Sequence, residues 1–217
     1  MNFQAADKRF GLAQEMNPSF GEPVETRPTQ AEVEAAVRTL IAATGDNPRR
    51  PGLVDTPARV ARAYGEWFAG YDQEPSKILS RTFDEADGYQ EMVLLRSIPL
   101  VSTCEHHMAP IIGKAHVAYR PRSRVVGISK LSRLVDAFAR RLQLQERLTQ
   151  QIAQTLFDTL EPHGVAVAIE ATHGCMATRG VNQHGIDMVT KVWLGDFAAD
   201  AELRREFLAA LPLRSVS

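Results

Sequence analysis

Apolar positions recur with a helical period at Val33, Val37, Leu40 and Ile41, and the run stops at Gly45. Just ahead, Thr29-Gln30-Ala31-Glu32 has capping-box form, a hydroxyl at one end answered by a carboxylate three residues on. The stretch from Gly45 to Pro57 is rich in Pro, Gly and Asp and reads as a loop. Thr56-Pro57 supplies a capping hydroxyl and a proline for the first helical position, and Val60, Tyr64, Trp67 and Phe68 give that helix an apolar face ending at Gly70. We expect the two helices to form an antiparallel pair, with Arg38, Arg59, Arg62 and Glu66 on solvated faces. Residues 1–28 carry Asn17-Pro18, Gly21-Glu22-Pro23 and Arg27-Pro28 with little periodicity, and are expected to be a flexible arm.

From Glu91 the pattern changes. Met92 to Leu95 and Ile98 to Ser102 favour strand and deliver Cys104 at the strand's end. Ala115, Val117 and Tyr119 then alternate with Lys114, His116 and Arg120, the period of a second strand, so the residues between form the turn of an antiparallel hairpin. Ser129 is placed to cap a helix with the stripe Leu131, Leu134, Val135 and Phe138. Gln145-Glu146-Arg147 opens another, with Leu148, Ile152, Leu156 and Leu160 in register, and Gly164 breaks it. Val165 to Ile169 reads as a central strand running toward His173 and Cys175. Met188 to Leu194 is a further strand, and Asp200 caps a last helix. The order is helix pair, two strands, two helices, two strands, helix. This predicts an α+β fold with helices on one face of an antiparallel sheet. The expected divisions are an arm over 1–28, a helical extension over 29–88 and the main domain over 89–217.

Composition narrows the function class. A chain of 217 residues with 44% hydrophobic and 24% charged positions is ordinary for a globular protein. Its net charge of −1 offers no field to recruit nucleic acid or an anionic membrane. No apolar run approaches the ~18 residues of a membrane span. The first ten residues lack the apolar centre of a secretory signal, so a cytoplasmic location is expected. The two cysteines are then metal ligands or buried thiols rather than a disulfide.

Both cysteines stand beside histidines: Cys104-Glu105-His106-His107, and His173-Gly174-Cys175 seventy-one positions after Cys104. Cys104 and His107 are three apart, a spacing at which a tight turn aims both at one ion. With Cys175 they make three ligands, the count of a catalytic zinc site with one position left open. A closed structural site would recruit His106 or His173 as the fourth. The open site is the better reading, because residues 173 and 175 on a strand point the same way, leaving His173 beside the metal as a proton donor. Glu105, the neighbour of Cys104 on an extended chain, faces away. His116, His163 and His184 have no such company and read as ordinary surface or strand histidines.

Ser129, Lys130 and Arg133 gather a hydroxyl and two cations at a helix start, where free N–H groups suit phosphate, and Arg179 can add charge. Glu146, if buried, offers a carboxylate that could take two adjacent N–H donors such as those of guanine.

These residues resemble the GTP cyclohydrolase I family of the zinc-dependent type. The motifs are Cys104-Glu105-His106-His107, Gly127-Ile128-Ser129-Lys130-Leu131-Ser132-Arg133, Gln145-Glu146-Arg147-Leu148-Thr149, and His173-Gly174-Cys175-Met176 leading to Arg179-Gly180. They match in order and spacing from about residue 30 onward. The resemblance implies a tunnelling fold, whose ββααββ units join their sheets into the barrel of a toroidal homodecamer, with active sites at subunit interfaces. It implies that GTP and water give formate and 7,8-dihydroneopterin triphosphate, the entry to tetrahydrofolate-type pterins. It implies Cys104, His107 and Cys175 as ligands of a Zn2+ that activates the water attacking C8. His173 would protonate the imidazole nitrogen and His106 would serve the later rearrangement. Gln145 and Glu146 would recognise guanine. Ser129, Lys130, Arg133 and Arg179 would bind the triphosphate, with Arg59 reaching in from a neighbouring subunit. One departure stands out: where many members carry a Ser/Thr-rich strand, this chain has Gly185-Ile186-Asp187-Met188-Val189-Thr190-Lys191.

Two other readings compete. A zinc deaminase would carry H-x-E with P-C-x-x-C, which is absent here. A non-catalytic oligomer with structural zinc would unfold or disassemble when the metal is removed.

Overall fold

The computed structural model describes residues 26–83, 89 and 91–212. The arm expected over 1–28 therefore lies, through residue 25, outside the described residues. Two compact units, Met1–Ala61 and Arg62–Ser217, divide the chain.

In the first unit, α1 (Gln30–Ala43) starts as its capping box dictates: the Thr29 hydroxyl accepts from Glu32 N, and a Glu32 carboxylate oxygen accepts from Thr29 N at 2.8 Å. Helix α2 (Thr56–Trp67) includes Thr56 as its first residue, one position earlier than expected, with the Asp55 carbonyl accepting from Arg59 N.

The second unit continues through a 3-10 turn at Ala69–Asp72, α3 (Pro75–Ile78), β1 (Thr82–Phe83), β2 (Val93–Cys104), β3 (Pro110–Arg120), β4 (Val125–Val126) and α4 (Ile128–Ala139). It then runs through β5 (Leu142–Gln143), α5 (Gln145–Leu160), β6 (Gly164–His173), α6 (Gly174–Ala177), β7 (Met188–Gly195), α7 (Asp196–Ala199) and α8 (Ala201–Ala209). The main sheet has the order β5-β2-β3-β6-β7. Strands β2, β3, β6 and β7 pair antiparallel in turn, whereas β5 runs parallel to β2. The fold is thus α+β as expected, but its sheet is mixed. The parallel strand has only two residues, too few to show a period.

Strand alternation sorts the core into two faces. Ala115, Val117 and Tyr119 of β3 and Val165, Val167 and Ile169 of β6 face the buried stripes of α4 and α5. On the opposite face Ala118, Ala166 and Ala168 meet Phe197 and Phe207, with Trp193 packed against them. Helices α7 and α8 therefore cover part of the second face, which corrects the expectation of helices on one face only. The alanines make room for the aromatic rings, and the Trp193 and Phe207 rings meet edge to face at 5.4 Å.

The Asp200 cap is present, its carboxylate accepting from Glu202 N at 2.7 Å and Leu203 N at 3.4 Å. Replacing Asp200 by alanine should lower stability by roughly 0.5–2 kcal/mol and the melting midpoint by about 2–4 °C per kcal/mol, read by calorimetry. Helix α4 starts two residues earlier than the sequence pattern implies. Gly127 is its N-cap and Ser129 lies inside the first turn, so Ser129 does not cap it. Gly164 likewise is the first residue of β6, and α5 ends at a left-handed Glu161.

Two backbone details shape the sheet. Register slips between Leu95 and Ile98 of β2, where Ser97 takes a φ of 59° and its N–H donates to Nδ1 of His116 at 3.3 Å. His116 lies on β3 and is only 2% exposed, so of the two readings it is the strand histidine, buried in the core, and burial pushes its pKa down. In β3, a Cβ on Gly113 would come within 2.0 Å of the Glu170 carbonyl oxygen, so only glycine lets β3 and β6 pair there.

Candidate metal centre and active site

Three chain ends converge at one edge of the second unit: the last residue of β2, the last residue of β6 and the first turn of α5. Cys104 closes β2, and the turn after it is fixed by hydrogen bonds from Cys104 N to Ala109 O and from Met108 N to Cys104 O, both 2.8 Å. Cys104 also pairs in register with Gln143, two residues before α5 begins. His173 closes β6 opposite Ile111, at the start of β3. The helical turn α6 follows at once and carries Cys175. Residues 173 and 175 thus do not share a strand face. Cys175 reaches the site because the chain turns after Gly174.

The result is a compact donor set. Cys104, His107 and Cys175 place one ligand atom each within 4.8 Å of one another. A tetrahedral ion with Zn–S of ~2.3 Å and Zn–N of ~2.0 Å would hold such atoms a little under 4 Å apart, so the set needs only slight closure. Both cysteines are free thiols, Cys104 buried and Cys175 half-buried. Burial, and next the adjacent Cys104, push the Cys175 thiol up, while Arg179 pulls it down. Two thiols and an imidazole so placed are the soft donors that suit zinc, and an ion would remove the thiol protons.

The turn carrying these ligands is anchored from α5. Glu105 accepts a short hydrogen bond from Arg147, and Glu105 N donates to Gln143 O at 3.1 Å. Glu105 thus faces away from the metal donors, as expected, and ties their turn down. The His106 ring is exposed and stands edge-on to His107, centroids 6.3 Å apart. Arg179 donates from Nη1 to His107 Nε2 at 2.9 Å, which brings it to the metal donors.

His173 Nε2 lies 2.8 Å from Oε1 of Gln145. Burial lowers the His173 pKa, and the negative charge of Glu146 partly restores it. Glu146 itself is exposed on the first turn of α5, so the burial on which its guanine reading is conditioned is not met within the single chain. Gln145 is only 1% exposed, and its amide nitrogen is within 3.2 Å of Ile169 O, Met188 O and Thr190 Oγ1. Every polar atom of that side chain is engaged within the protein. Thr149 and Thr190 complete the group through a 2.6 Å hydroxyl pair, and Thr149 donates to Gln145 O at 2.7 Å. Both threonines stand in stretches noted in the sequence, but neither was given a role there. The available signal was a polar pair, Gln145 and Thr149, four apart on the buried side of α5.

The remaining site residues lie elsewhere. Ser129 and Arg133 line a cavity of about 510 Å3 with Ser132, Ile128 and the β2 segment Leu95–Pro99. That segment precedes Cys104 by five to nine positions, roughly 16–30 Å along a strand. Lys130 is half-buried in the same first turn of α4. Arg59 belongs to the first unit, where it is exposed and paired with Asp55 at 3.4 Å.

The sequence model of GTP cyclohydrolase I matches residues 33–212, nearly the whole described chain. This chain belongs to the GTP cyclohydrolase I family. A GTP cyclohydrolase 1 from Hyphomonas neptunium is 55% identical over 182 residues, 84% of this chain and 88% of that one. Its counterpart from Maricaulis maris is 50% identical over 188 residues, covering 87% and 92%, and that from Allorhizobium ampelinum 50% over 192 residues, covering 88% and 96%. Among solved structures, the archaeosine synthase QueF-Like in its apo form overlaps 48% of this chain and 93% of its own, at TM-score 0.40 and 20% identity. Membership of the GTP cyclohydrolase I family makes the chain an enzyme, and among the described residues no helix is long and apolar enough to cross a membrane.

Proposed function

We propose that this enzyme opens the imidazole ring of GTP by zinc-dependent hydrolysis at C8, releasing formate and giving 7,8-dihydroneopterin triphosphate. The observation that carries the reading is the meeting of Cys104, His107 and Cys175 within 4.8 Å, with His173 two residues from Cys175 and outside the donor set. Cys104, His107 and Cys175 would hold the ion. Zinc bound there supplies a Lewis acid that brings the pKa of water toward neutrality, giving a nucleophile at working pH.

The chain's own groups do the rest. His173 passes a proton to the purine nitrogen as the bond from C8 opens. His106, exposed beside His107, serves proton transfer in the later rearrangement. Glu146 accepts from guanine N1–H and the 2-amino group. Arg179, Ser129, Lys130 and Arg133 neutralise the triphosphate, and Arg59 adds a charge from a neighbouring subunit.

The separation of the basic α4 turn from the metal donors along β2 supports a site shared between chains. A nucleotide whose base lies at Cys104 takes its phosphate contacts from the α4 of another copy. That fits the tunnelling fold and the homodecamer, with the cytoplasm as the compartment. Incubating metal-replete protein with GTP, and measuring formate and ammonia together, tests the reaction. Formate with a pterin that fluoresces after oxidation is expected; ammonia without formate would instead identify a deaminase.

A further inference from the structure

The proton logic around Gln145 can be followed atom by atom. Ile169 O and Met188 O can only accept, so the amide group facing them is the donating NH2. The reverse orientation would set Oε1 against two carbonyl oxygens. Thr149 spends its hydroxyl proton on Gln145 O, so Thr190 donates to Thr149 and turns a lone pair to the amide nitrogen. Oε1 is left facing His173, and an amide oxygen can only accept. The proton therefore sits on His173 Nε2. Among the described residues no hydrogen bond engages Nδ1, which is left as the nitrogen able to exchange a proton with a ligand. Of the segment 185–191, Met188 through its carbonyl and Thr190 through its hydroxyl touch this network, Thr190 pairing in register with Ile169.

We propose that Gln145 is a positioning residue: its buried amide, held by Ile169, Met188 and Thr190, fixes the His173 ring as the Nε2–H tautomer and assigns proton exchange to Nδ1. The role in turnover rests on the reading of His173 as the proton donor, in which Nδ1 takes up a proton before passing it to the ligand; the tautomer does not. It also moves Gln145 from direct guanine recognition to the support of His173.

The test uses zinc-loaded full-length protein labelled with 15N-histidine and studied by magic-angle-spinning NMR, with His173→Asn to assign the resonance. Wild type should show His173 protonated at Nε2 and bare at Nδ1. Gln145→Met should lose that fixed pattern, keep its zinc, and lower kcat for formate release by roughly 10- to 100-fold with KM little changed. Thr190→Val, a smaller change, should shift both readouts in the same direction and serves if the Met variant does not fold. A wild-type His173 protonated at Nδ1 overturns the proposal. So does a Met variant with normal kcat, or one whose KM alone rises, as loss of a guanine contact would give. Failure of wild type to release formate would count against the reaction, and the tautomer spectrum would then judge the hydrogen bond by itself.

Discussion

Zinc-loaded His173→Ala should release formate from GTP on the order of 10²–10⁴ times more slowly than the parent while keeping one zinc per chain, whereas Cys175→Ala should lose zinc and activity together. The two residues are neighbours in sequence but belong to different parts of the site. Cys175 lies in the helical turn and shares the donor cluster with Cys104 and His107. His173 ends β6 and directs Nε2 to Gln145, so its removal leaves the three donors intact. Zinc content by mass spectrometry and formate by enzymatic assay separate the effects. Retained turnover in His173→Ala would remove His173 as the proton donor. Loss of zinc from that variant would make His173 a fourth ligand and the site closed.

The second large effect concerns where one site's parts come from. Ser129 and Arg133 line a cavity with Leu95–Pro99, well back along β2 from Cys104. If a triphosphate bound at one copy's α4 belongs to a base bound at another copy's metal donors, two inactive variants can repair each other. His173→Ala and Arg133→Ala should each be nearly inactive alone. Co-expressed in equal amounts under different tags and purified as mixed oligomers, they should recover about one quarter of parental activity, since half the metal sites and half the α4 turns are intact and pair at random. Mixed oligomers as inactive as their parents would place both halves of the site in one chain.

Much of this was legible in the residues. The capping box at Thr29 and Glu32 and the cap at Asp200 form as their side chains require. The Cys-x-x-His turn closes at Cys104 because a hairpin forms on either side of it, and strand alternation revealed that hairpin. What escaped was set by tertiary packing. Cys175 was expected on the strand face of His173, but the chain enters a helical turn directly after the strand, and four residues are too few to show a helical period. Glutamine is mostly a surface residue, and its spacing from Thr149 was too faint a mark to single out Gln145 as a buried amide with four partners. Ser129 had the chemistry of a cap, yet the backbone of Gly127 began the helix first. The second layer of helices was written faintly, in the alternation of Ala166 and Ala168 with Val165, Val167 and Ile169. Small residues on one strand face announce something bulky above it, and Phe197 and Phe207 occupy that space.

The most direct test of the account is a zinc titration of activity. Protein stripped by chelator should release no formate from GTP, and added zinc should restore turnover in proportion until one ion is bound per chain. Substituting alanine for Cys104, His107 or Cys175 should prevent that recovery. Formate release by the metal-free protein, or none from protein with its zinc fully restored, would contradict the account.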